Sequence, residues 1–131
     1  MPLPETNPRQ PGRTYAMLVT IKDADNVAIA ISSIAGLAII LSLDGGRIIG
    51  QWSKVTKPNY MPMEVTGVPG QVRITLPAKN SVDLNNEQSY LEVIRQEQSG
   101  DDVLNFGLKD GKRIPIIYFT NAAVANAPSL I

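Results

Sequence analysis

A chain of 131 residues and 14.2 kDa has room for one domain with its own core and not for two. Cysteine and histidine are both absent, which excludes disulfides, thiolate metal sites, cysteine nucleophiles and every catalytic scheme that needs an imidazole base. Twelve basic residues balance twelve acidic ones, so no net field draws the protein to nucleic acid or an anionic membrane.

Residues 1–14 carry Pro2, Pro4, Pro8 and Pro11, four of the ten prolines. Proline at this density opposes helix and ladder pairing and favours extended chain. No apolar stretch follows Met1, so the segment does not read as a signal peptide. It is expected as an extended arm ahead of a domain over 15–120. Fourteen extended residues reach about 45 Å, farther than such a domain is wide. Both a disordered tail and an arm laid on a neighbouring subunit are open.

Strand signals then follow in order. Tyr15 to Lys22 is rich in β-formers and stops at Asp23-Ala-Asp-Asn26, a turn signal. Leu37, Ile39, Leu41 and Leu43 share one face of a strand that meets Asp44-Gly45, a hairpin cue. Arg47 to Val55 is the partner strand and holds the one tryptophan, Trp52. Lys57 to Pro62 contains two prolines and reads as loop or edge. Gln71 to Leu76 alternates cleanly, with Val72, Ile74 and Leu76 inward. Ser89 to Arg95 suits a strand, although the Glu-Gln pairs around it would also suit a helix. Val103 to Leu108, the cue Asp110-Gly111, and Arg113 to Thr120 complete six to eight strands at roughly ten-residue spacing, which predicts an all-β sandwich.

One window competes with that reading. Asn26 to Leu43 has no charge over eighteen residues, and as a helix it would span about 27 Å of a ~30 Å hydrocarbon core. Basic residues are even on its two sides, no aromatic flanks it closely, and Ser32-Ser33 and Gly36 interrupt it. Buried strands are therefore expected, with a single-span membrane protein as the alternative.

Chemistry-bearing patterns are sparse. Asp23-Ala-Asp25-Asn26 opens like a calcium loop but lacks the turn glycine and the closing glutamate. A turn bonded by its own Asp and Asn side chains accounts for it, and Asp101-Asp102 reads the same way. No pair of carboxylates is singled out as a glycosidase dyad, and no S-x-x-K motif occurs, so a minimal hydrolase is the weakest alternative. Asp44-Gly45-Gly46-Arg47 lacks the spacing of a phosphate cradle. Lys109, Lys112 and Arg113 read as a solvated hairpin tip. Trp52, Tyr60 and Tyr90 could line a sugar platform, which keeps a small carbohydrate-binding module open, although core packing explains a lone tryptophan as well. No catalytic residue, cofactor site or metal site is expected.

The blocks T-I-K-D-A-D-N-V-A-I, I-I-L-S-L, R-I-I-G-Q-W-S-K-V, Q-V-R-I-T-L-P-A and D-L-N-N-E-Q-S-Y-L-E-V-I together resemble the immunoglobulin-like N-terminal domain of phage baseplate upper proteins and related tail or head fibre proteins. Leu84 stands six residues before Tyr90, a spacing similar to a tyrosine corner. Departures are Asn26 at the family's turn glycine, Pro77 within the L-x-A stretch, and Glu92 where a corner carries a buried residue. Either Tyr90 is no corner or Glu92 faces solvent after a bulge. The resemblance implies an immunoglobulin-like antiparallel β-sandwich in a non-catalytic virion structural protein: a head fibre or capsid decoration subunit, or a tail or baseplate adaptor. Its expected partners are other virion proteins and its own copies, without nucleic acid or membrane. Its expected place is the virion, reached from the host cytoplasm during assembly.

After Arg113 no charge appears, and residues 121–131 are too broken by Asn121, Asn126 and Pro128 for a long strand. Their apolar Val124, Leu130 and Ile131 suit a second arm covered by a partner. Partner binding is thus expected at Pro2, Pro4, Pro8, Pro11, Val124, Leu130 and Ile131.

Overall fold

Strands follow one another along nearly the whole chain, in a computed structural model that describes residues 8–23, 25–96, 103–105, 108–109 and 112–120. They are β1 (Pro8–Arg9), β2 (Tyr15–Thr20), β3 (Gly36–Leu43), β4 (Ile48–Ser53), β5 (Met61–Pro62), β6 (Glu64–Val65), β7 (Gln71–Leu76), β8 (Glu87–Gln96), β9 (Val103–Asn105), β10 (Leu108–Lys109) and β11 (Lys112–Phe119). Two single 3-10 turns, Ile31–Ser33 and Ala78–Asn80, are the helical elements among the described residues. One sheet has the order β1-β11-β8-β3-β4-β5, with β9 beside β8 and β10 beside β11; the other is β2-β7-β6. The order β11-β8-β3-β4 against β2-β7-β6 is the G-F-C-C′ against B-E-D arrangement of an immunoglobulin-type sandwich.

Alternation builds the core. Val72, Ile74 and Leu76 of β7 are fully buried, and Leu37, Ile39, Leu41 and Leu43 of β3 face them from the other sheet. Trp52 is fully buried in the same cluster, and its indole N–H donates to the Thr75 carbonyl at 3.3 Å, tying β4 to β7. A Cβ at Gly50 would lie 2.5 Å from the Trp52 ring, so glycine there makes room for the indole. The Asp44-Gly45 turn closes the β3–β4 hairpin, with Leu43 N–H donating to the Arg47 carbonyl at 2.8 Å and Gly46 at φ 89°.

The apolar window of residues 26–43 is thus a bridge at Ala28, a 3-10 turn and strand β3. No helix of the described residues is long and apolar enough to cross a membrane. Lys54 pins the 3-10 turn, its ammonium donating to the carbonyls of Ile31 and Ile34. The ambiguous stretch around Ser89 is a ten-residue strand, because Ser89, Leu91 and Val93 alternate into the core. Tyr90 pairs with Ser42, and Glu92 with Ile40, in an unbroken β3–β8 register. Glu92 therefore faces outward without the bulge that its position had suggested.

Candidate interaction face

The partner residues expected in the arms divide into two groups. Pro2, Pro4, Val124, Leu130 and Ile131 lie outside the described residues. Pro8 and Pro11 lie inside them, and here the expectation that the prolines oppose sheet pairing is corrected. Pro8 pairs in parallel with Tyr118 and Arg9 with Phe119. A sheet edge admits proline because its outer side needs no donor. The Arg9 carbonyl accepts from the Thr120 N–H at 2.9 Å. Beyond it, Gly12 N–H donates to the buried Ser81 hydroxyl at 2.9 Å and Tyr15 donates its phenol proton to the Gln10 carbonyl. Pro11 is half-buried within this docked segment. Residues 8–12 are thereby tied to their own sandwich.

Of the chemistry-bearing patterns, Asp23 closes its own turn. One carboxylate oxygen accepts from the N–H groups of Asp25 at 2.9 Å and Val27 at 3.0 Å. Asp101-Asp102 lies outside the described residues. Trp52 is withdrawn into the core and cannot line a sugar platform.

A surface that the sequence reading did not single out lies on the outer side of β3, β4, β8 and β11. Register stacks it in rows: Ile48, Ser42, Tyr90 and Pro115; then Gln51, Ile40 and Glu92; then Ser53, Ala38 and Ile94. Glu92 is the one charged residue among these ten. The second sheet differs, since its outer side carries the Arg73–Glu64 ion pair at 3.3 Å. β3 explains the difference. Its run Leu-Ala-Ile-Ile-Leu-Ser-Leu is apolar at both parities, the composition of a strand covered on both faces. One face covers the core; the other presents Ala38 and Ile40.

At one end the face dips into a recess of about 180 Å³ lined by Ala38, Ser53, Val55, Lys57, Tyr60 and Ile94. The wall formed by residues 54–60 is braced by Gln51, whose side-chain amide donates to the Asn59 carbonyl at 2.8 Å. Asn59 supports this bend at φ 67°, a region asparagine tolerates. Val55, beyond the third row, is 48% exposed and Ile48, at the end of the first, 51%, so the face carries exposed apolar surface at two corners. The arrangement can dock a flat, mostly uncharged surface and receive one side chain in the recess. Among the described residues no three His, Cys, Asp or Glu side chains gather as a metal group would. Neither a family model, nor a curated protein, nor a solved structure matches the chain.

Proposed function

We propose that this protein is a non-catalytic structural subunit of a phage virion. It serves as a head fibre or decoration protein, or as a tail or baseplate adaptor, and holds other virion proteins on the outer face of its β11-β8-β3-β4 sheet. The observation that carries the reading is the pairing of Ile40 with Gln51 and Glu92, flanked by Ala38 and Ile94. A central strand thus turns apolar side chains away from a core that is already complete. Polar side chains are the rule on the solvated face of an antiparallel sheet, and a nearly uncharged patch of this kind supports a protein partner. The immunoglobulin-type strand order agrees with the family resemblance of the sequence blocks.

Quantitative mass spectrometry of particles purified from the source virus tests the proposal. The expected result is this chain at a fixed copy number relative to a major head or tail protein. Its absence from the particles, with the chain recovered only as free protein, would overturn the reading.

A further inference from the structure

Strand β2 is the one long strand whose outer edge no described strand covers. It pairs with β7 along its whole length, Tyr15 to Thr20. The other sheet margins carry the two-residue strands β1, β5 and β6 along part of their length, two of which contain a proline. Ladder geometry says which groups are left outward. Ile21 N–H donates to the Gly70 carbonyl at 2.8 Å, the Ile21 carbonyl accepts from Ile29 N–H at 2.9 Å, and Asp23 N–H donates to the Val27 carbonyl at 2.9 Å. Odd-numbered residues therefore turn their amides to the β7 side, and antiparallel alternation turns those of Ala16, Leu18 and Thr20 to the open edge. The strand Tyr-Ala-Met-Leu-Val-Thr has no charge, glycine or proline, and Leu18 at its centre is 57% exposed. Natural edges are normally blunted by charge, proline, a bulge or a covering element.

We infer that β2 pairs antiparallel with β2 of a second copy, about a two-fold axis at Leu18. This goes beyond the assembly reading, because such a dimer is expected whatever particle the protein joins. An isologous contact must be self-complementary, and this register is. Ala16 falls opposite the partner's Thr20 and Leu18 opposite the partner's Leu18, so every outward N–H and carbonyl of the three residues finds a partner. The two leucines meet as an apolar cross-strand pair. At each end the same register brings the exposed Arg13 of one copy beside the exposed Asp23 of the other, and Lys22 falls opposite Thr14, so no like charges meet. The chain's own residues 1–7 fit the edge less well. Pro8 is held on β11 of the other sheet, and crossing the ~10 Å between sheets takes about three residues at ~3.3 Å each, leaving about four for a strand of six.

The full-length chain, which has no cysteine of its own, supplies a clean test. In an antiparallel hydrogen-bonded pair the two Cα atoms stand about 5.5 Å apart, within the span of a disulfide. Leu18→Cys should cross-link to a dimer under mild oxidation, and Ala16→Cys should not, because Ala16 faces Thr20. Sedimentation should give twice the chain mass for the unmodified protein. Leu18→Pro, which removes an outward N–H and no bond to β7, and Leu18→Lys, which sets two ammonium groups side by side, should each weaken the dimer at least tenfold. Circular dichroism should show both variants folded. Equal cross-linking of the two cysteine variants, or a folded Leu18→Lys with unchanged mass, would overturn the inference. So would a monomer that dimerises only after removal of residues 1–7, which would assign the edge to the chain's own arm. Failure here leaves the particle measurement untouched, and failure there leaves the dimer.

Discussion

Ser89 shows how much one hydroxyl carries in this fold. The β8–β11 register shifts between Pro115 and Tyr118, which takes the Ile117 backbone out of the ladder. The fully buried Ser89 hydroxyl fills the gap, donating to the Ile117 carbonyl at 2.8 Å and accepting from the Ile117 N–H at 3.2 Å. Removing it leaves the Ile117 N–H dry, while the Ile117 carbonyl keeps the Gln88 side-chain amide at 3.1 Å, and an unsatisfied buried group costs about 1–3 kcal/mol. Ser89→Ala should therefore lower stability by about that amount in chemical denaturation. A loss below about 0.5 kcal/mol, the ordinary scale of surface changes, would show that the backbone finds another partner. Nothing in the sequence signalled this role, because a serine between a glutamine and a tyrosine carries no mark of the bulge it repairs 28 residues away.

Within elements, alternation was the legible part. β7 reads inward at Val72, Ile74 and Leu76 and outward at Arg73 and Thr75, and burial follows that pattern residue by residue. Ile74→Ala should cost about 2–5 kcal/mol, the range for a large aliphatic side chain deleted from a closed core. Arg73→Ala should cost less than about 1 kcal/mol, since its ion pair with Glu64 is exposed. Equal costs at the two positions would contradict the facing. The Asp-Gly hairpin between β3 and β4 and the strand character of residues 36–43 were equally readable. Met61–Pro62 and Glu64–Val65 were not. Each is two residues long, and the chain passes from β4 to β7 across Met63, so no periodicity can develop. The docking of Pro8–Arg9 was hidden for a different reason: its ladder partner is 110 residues away, and proline composition argues for the opposite. The outer face escaped because alternation assigns even positions of β3 to solvent. The doubly apolar run is visible in the sequence, but burial against lipid or core accounts for it as well as a partner does.

At the scale of the molecule, the two sheets use their exposed surfaces differently. Among the described residues the second sheet leaves the outer edge of β2 uncovered, and the first offers a face with Ala38, Ile40 and Ile94 at its middle. An edge pairs copies of one strand with each other. A face with a recess suits a surface of different shape, which supports the proposed attachment to a second kind of protein. Ile40 is the most direct place to separate attachment from folding. It is half-buried at the middle of the face, and an arginine there can extend its guanidinium into solvent. The decisive measurement is the copy number of Ile40→Arg protein in purified particles, compared with wild type and read beside its melting temperature. The account predicts an unchanged melting transition and particles that lack the variant. Incorporation of Ile40→Arg at the wild-type copy number would contradict it.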